Sequence, residues 1–121
     1  MDRLAVGVTY ADKSNIARWG HTNGRDRRCR GNTWFVPYET IKSRAKQRPH
    51  PATFPVQLAE RCIRLHGRCA ESIVLDPFLG IGNAAVAAQR CGIEKFIGIE
   101  LEGEFLAVAA ERVQAMHPSL Q

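Results

Sequence analysis

The stretch SIVLDPFLGIGNAAVAAQRCGIEKFIGIE, Ser72 to Glu100, constrains most of what this chain can fold into. Ser72 to Asp76 is a short apolar run of strand length, followed by a turn rich in glycine. Asn83 is placed to cap a helix over Ala84 to Cys91, Gly92 closes that helix, and Lys95 to Glu100 is a second strand. Strand, helix and strand within about thirty residues make a βαβ unit, with parallel strands and a right-handed crossover. A parallel sheet of only two or three strands leaves an edge and a face uncovered, which such sheets normally avoid by carrying more strands and helices on both sides. The fold class is therefore α/β with an incomplete sheet.

The rest of the chain supplies helices and an irregular, basic front. Pro55 suits the start of a helix that puts Leu58, Ala59, Cys62, Ile63 and His66 on adjacent rows and ends at Gly67. A last amphipathic helix over Gly103 to Met116 lines up Phe105, Ala109, Val113 and Met116, and Pro118 stops it. From Met1 to about Arg30 the pattern is aperiodic, Asn32 to Tyr38 is strand-like, and Lys42 to Thr53 reads as a basic loop broken by Pro49 and Pro51. With 121 residues there is room for one small globular unit, divided into a basic segment over 1–48 and an α/β portion over 49–121. No apolar run approaches the roughly 20 residues of a membrane span and no signal-peptide core stands at the N-terminus, so a cytoplasmic protein without membrane contact is the expectation. The four cysteines form no C-x-x-C pair. Cys62 and His66, four apart on a helix, permit a shared metal, but a buried cysteine and a helix-end histidine is the preferred reading, and no metal site is assigned.

Charge divides unevenly. Residues 1–50 hold eleven Lys/Arg against four Asp/Glu, whereas 51–121 hold six against eight. An acidic partner for the first half follows, and Arg25, Arg27, Arg28 and Arg30, flanked by Trp19 and Trp34, are candidates for tracking a phosphate backbone of DNA.

The glycine turn narrows the ligand. Gly80-Ile81-Gly82-Asn83-Ala84-Ala85 fits G-x-G-x-x-G/A, in which small residues allow a tight turn, close ligand approach and close helix packing. Asp76 ends the first strand and Glu100, 18 residues after Gly82, ends the second, where a carboxylate can accept bonds from both hydroxyls of a ribose. An adenosine cofactor is indicated. Asp76 would repel a diphosphate but suits an amino-acid ammonium, and the absence of G-K-S/T after the loop excludes a P-loop.

HPATFP (His50 to Pro55), VLDPFLGIGNAAVAA (Val74 to Ala88) and FIGIE (Phe96 to Glu100), in that order, resemble the S-adenosylmethionine-dependent DNA methyltransferases that modify exocyclic amino groups of adenine or cytosine, in their circularly permuted class. The resemblance covers about residues 30–115 and implies the C-terminal part of a partial Rossmann-like methyltransferase fold. It implies that Asp76, Pro77, Phe78, Gly80 and Gly82 form the cofactor loop and that Glu100 holds the ribose. His50, Pro51, Ala52, Thr53 and Phe54 would line the methionine end, and residues 1–48 would end a target-recognition region. Asn83 stands where the family commonly has threonine or serine. The family's D/S/N-P-P-aromatic catalytic motif is missing, since no Pro-Pro pair occurs, so no catalytic residue is assigned and the chain alone is expected to be inactive. A restriction-modification enzyme acting on DNA is implied, completed by a second chain bearing the motif or by a homo-oligomer. The alternatives are an inactive remnant, a noncatalytic nucleic-acid-binding module using the βαβ unit as scaffold, or a small nicotinamide-dependent oxidoreductase.

Overall fold

A computed structural model describes residues 1–14, 26–37, 53–67 and 71–116. Five elements follow in order: α1 (Val56–His66), β1 (Ile73–Asp76), α2 (Asn83–Arg90), β2 (Lys95–Gly98) and α3 (Gly103–Gln114). The strands pair in parallel from Ile73 with Lys95 to Asp76 with Gly98, and α2 is the crossover between them. The expected βαβ unit is present, and the sheet has two strands among the described residues.

Period-two alternation decides what each strand face does. Val74 and Phe96 are half-buried on the helix side, and Phe96 packs with Val113 against the cluster of Leu79, Ala85 and Ala109. Ile73, Leu75, Ile97 and Ile99 keep between 51% and 60% of their surface exposed. A contiguous exposed aliphatic face of this kind is the type of surface on which another segment or chain docks. The incomplete sheet anticipated from sequence is thus visible as a bare apolar face.

Helix α2 is the centre of the packing. Ala85, Val86, Ala87 and Ala88 are all buried, and the helix touches α1, α3 and both strands. Alanines permit this because they hold little bulk and fix no side-chain rotamers. On its α1 side, Arg90 pairs with Glu60 at 3.1 Å, and the Cys91 Sγ approaches the Glu60 carbonyl at 3.8 Å. The exposed pair contributes little; burial of Cys91 and the alanines does more.

Several local expectations need correction. Gly82, at φ 80° and ψ 28°, is the N-cap of α2, and Asn83 is its first helical residue rather than its cap. The start of α1 beside Pro55 is as expected, with that residue as its N-cap at φ −65° and ψ 138°. Gly67 ends that helix at φ 88° but ψ 112°, outside the left-handed cap geometry. Residues 32–37 form no strand, as none of the described residues pairs with them, and their Phe35 carbonyl accepts from Arg61 Nη1 at 2.7 Å; Tyr38 lies outside the described residues. At the front, Asp2 N–H donates to the Leu65 carbonyl at 2.8 Å, and Val8 and Arg28 exchange both backbone bonds at 3.0 and 2.8 Å. Most of the basic loop before Thr53 lies outside the described residues.

Gly82 is where the fold is least tolerant. A Cβ there would lie 2.8 Å from the Ala109 Cβ and 3.1 Å from its Cα, on a backbone of positive φ. Gly82→Ala is expected to destabilise the chain by about 2 kcal/mol or more, combining left-handed strain with overpacking. Gly103→Ala, with nothing within 4 Å of its added Cβ, should stay within about 1 kcal/mol of the parent. Urea denaturation of both variants checks the contrast.

Candidate functional site

Both strands deliver their carboxyl ends to one edge, and the glycine loop is fastened there from several directions. The ladder continues past the strands, with Ile99 N–H donating to the Asp76 carbonyl and Leu79 N–H to the Ile99 carbonyl, each at 2.9 Å. Gly82 N–H then closes a turn on the Leu79 carbonyl at 3.0 Å. Gly80 and Gly82 have φ of 54° and 80°, which only glycine adopts without steric cost. From α3, Arg112 Nη1 donates to the Ile81 carbonyl.

Glu100 ties the two halves of this edge together. Its Oε2 accepts from Gly80 N–H at 2.7 Å, while Oε1 accepts from Leu101 N–H at 2.9 Å and Glu102 N–H at 3.0 Å. Sequence reasoning gives Glu100 a ligand role; its role as a clasp on the glycine loop is an addition from the structure. Asp76, half-buried, accepts from Phe78 N–H at 3.0 Å through Oδ1 and so shapes the first turn of the loop.

Thr53 and Phe54, distant in sequence, arrive at the same place. They line a crevice of about 40 Å³ together with Phe78, Leu79, Ile81 and Asn83. Asn83 Nδ2 donates to the Phe54 carbonyl at 2.6 Å, a bond spanning 29 residues. Phe78 stands 85% exposed above the loop, beside the exposed Pro77. The structure therefore gathers Thr53, Phe54, Asp76, Pro77, Phe78, Gly80, Gly82 and Glu100 at one edge, whereas His50, Pro51 and Ala52 lie outside the described residues. Asn83 and Arg112 are site-forming residues that sequence reasoning missed. A signal existed for Arg112, which follows the buried Ala109 by three and so shares its helix face.

The basic front is separate from this edge. Arg27 and Arg28 are exposed, and Arg30 Nε donates to the Val6 carbonyl at 2.8 Å. Arg30, Arg3 and Trp34 share a cleft of about 420 Å³. Arg25 lies outside the described residues. Cys62, expected to be buried, is exposed on α1 as is His66, the last residue of that helix, and among the described residues no group of three His, Cys, Asp or Glu could hold a metal ion. Among them, too, no helix is long and apolar enough to cross a membrane.

Known proteins are similar to this chain over part of their length. The chain is 36% identical over 94 residues to the type II methyltransferase M.ScaI of Streptomyces caespitosus, covering 74% of this chain and 30% of that one. It is 42% identical over 66 residues to the type II methyltransferase M2.DpnII of Streptococcus pneumoniae, covering 54% and 24%. The matched region thus spans less than a third of either relative. Among solved structures, the M1.HpyAVI-SAM complex is similar at 34% identity and a TM-score of 0.49, over 68% of this chain and 40% of that one. Because the DNA methylase profile matches residues 2–111, nearly the whole length, this chain belongs to the DNA methylase family.

Proposed function

We propose that this chain is the cofactor-binding portion of a site-specific DNA methyltransferase of restriction-modification type, which moves a methyl group from S-adenosylmethionine to an exocyclic amino group of adenine or cytosine. The observation that carries this reading is the convergence of Asp76, the glycine loop, Glu100 and Phe54 on the carboxyl edge of two parallel strands, the edge where α/β folds bind ligands. The residues fit the cofactor: two carboxylates for its hydroxyl and ammonium donors, a small-residue loop for close approach, and two aromatic rings beside a crevice suited to a cationic group.

When bound, the cofactor supplies an electrophilic methyl group on a sulfonium. Glu100, just past the end of β2, would hold the ribose with the acceptor capacity that its three backbone N–H partners leave, while Asp76 and the segment through Phe54 would hold the amino-acid end. The groups that receive the target base belong to a D/S/N-P-P-aromatic motif, and the 121 residues contain no Pro-Pro pair. A polypeptide segment bearing that motif would add to the sheet and cover Ile73, Leu75, Ile97 and Ile99, in keeping with relatives more than three times the matched length. Arg25, Arg27, Arg28 and Arg30 serve DNA phosphates.

Calorimetric titration of the folded chain with S-adenosylmethionine is expected to show micromolar binding. Asp76→Ala and Glu100→Ala should each weaken it more than about tenfold, the effect of losing a charge-assisted hydrogen bond. Unaltered titrations in both variants would remove the site assignment.

Binding to a duplex should weaken steeply as salt rises. Replacing Arg27 and Arg28 together by alanine should lower the slope of log affinity against log salt by about two. Fluorescence anisotropy across a salt series measures this, and a flat response of the parent chain would discard the phosphate role.

A further inference from the structure

Three long-range ties build a cleft from a front of the chain that has no hydrophobic period. Asp2 N–H donates to the Leu65 carbonyl near the end of α1, Val8 and Arg28 exchange both backbone bonds, and Arg30 Nε donates to the Val6 carbonyl. Three separated parts of the chain thereby border a space of about 420 Å³, within the roughly 300–1,000 Å³ typical of small-ligand sites. Val6, itself buried, and Met1 and Leu65 supply apolar wall.

The charges in this cleft carry one sign. Arg30 is pinned through its Nε, which leaves the N–H donors on its Nη atoms, and Arg3 is exposed; among the described residues neither guanidinium pairs with a carboxylate. No aspartate or glutamate among the described residues lines the space. Arg64 and Arg90 differ, since both are already matched by Glu60. Trp34 then decides which anion fits. Its Nε1–H, the one donor of an indole, goes to the Gly31 carbonyl at 3.3 Å, so a ligand meets π surface and not a hydrogen-bonding edge. Asn32, also lining the cleft, offers an amide donor and acceptor. An anion that joins a flat aromatic ring to a hydrogen-bonding edge is a nucleotide. Arg27 and Arg28, both exposed and next in the chain to the cleft residues Cys29 and Arg30, extend the positive charge past a single phosphate, as a strand requires.

We propose that this cleft binds one unstacked nucleotide of a DNA strand, its base against the Trp34 indole and its phosphate between Arg3 and Arg30. The inference rests on the DNA role assigned above to the basic front and adds what phosphate contacts lack, recognition of a base that has left the stack. Within a duplex both faces of a base are covered by its neighbours, so an indole can stack only on one that is unstacked. An enzyme that turns a target base out of the helix leaves the opposite base unpaired. A cleft that holds such a nucleotide lowers the cost of opening the duplex.

Fluorescence anisotropy of the full chain with two labelled probes tests this: a DNA duplex, and the same duplex with one unpaired thymidine inserted at its centre. Their charge is nearly equal, so phosphate contacts alone give equal affinity. The parent should bind the interrupted duplex about tenfold tighter, the effect of one base on an aromatic platform. Trp34→Leu, which keeps apolar bulk without a π face, should cut that preference to less than about threefold, and Trp34→Phe should retain most of it. Replacing Arg27 and Arg28 together by alanine should weaken both probes and leave their ratio unchanged. Equal affinity of the parent for the two probes, or an undiminished preference in folded Trp34→Leu, would overturn the role of the cleft and leave the phosphate contacts standing. Displacement of the interrupted duplex by S-adenosylmethionine would overturn it too, by moving the base to the cofactor edge. A parent that binds neither probe at low salt would remove the DNA role of the front and this inference with it, without touching the cofactor titration. The parent's own preference needs no variant, so the test stands even where Trp34→Leu does not fold.

Discussion

The carboxylate of Glu100 holds the functional edge together. Three backbone N–H groups converge on it, one from the glycine loop after β1 and two from the turn that opens α3. Bonds to an ionised acceptor contribute about 1.5–3 kcal/mol each in favourable settings, toward the lower end for a half-exposed group such as this one. Without the carboxylate, the Gly80 N–H would turn to water and the loop would lose its register against β2. Arg112 grips the Ile81 carbonyl from the opposite side, so the loop is clamped between an acid that takes its N–H and a base that takes its C=O. A ligand arriving at this edge meets a backbone already ordered, which lowers the entropic cost of binding.

Smallness elsewhere makes that clamp possible. Gly82 lies against Ala109 with no room for a Cβ, and the four consecutive residues Ala85 to Ala88 sink α2 among α1, α3 and the strands. Only this close approach brings α3 near enough for Arg112 to reach the loop. The same packing leaves no large side chain on α2 to occupy the ligand edge, so the space near Phe54 and Phe78 is bounded by the loop and the aromatics themselves.

Much of this was legible in the sequence, where local signals and tertiary demands coincide. The two strands, the crossover helix and the terminal helix follow from hydrophobic period and from glycine and proline punctuation, and each appears within a few residues of its expected limits. The glycine pattern and the two strand-end acids marked the edge because their chemistry depends on spacing along the chain. Residues 32–37 misled because a β-rich run becomes a strand only with a partner, and its Phe35 carbonyl went to Arg61 instead. Asn83 misled for a related reason. Asparagine before an alanine-rich helix is a good cap, yet here Gly82 takes the left-handed geometry and pushes the amide inward to Phe54, a contact 29 residues away in sequence. Glu100 showed its position and sign in the sequence but not its N–H partners, since backbone donors leave no mark in a residue string.

The carboxyl edge and the outer face of the sheet are finished to different degrees. At the carboxyl edge the glycine loop is clamped, and Asp76 and Glu100 are held by backbone N–H groups. The outer face presents Ile73, Leu75, Ile97 and Ile99 to solvent, with Leu101 96% exposed beside them. Covering a half-exposed aliphatic side chain stabilises by about 1 kcal/mol, so closing over four of them offers several kcal/mol to whatever docks there. On the function proposed above, a segment that recovers that energy would bury the outer face and leave the clamped edge unchanged, so cofactor affinity would reside in this chain and methyl transfer would need that segment.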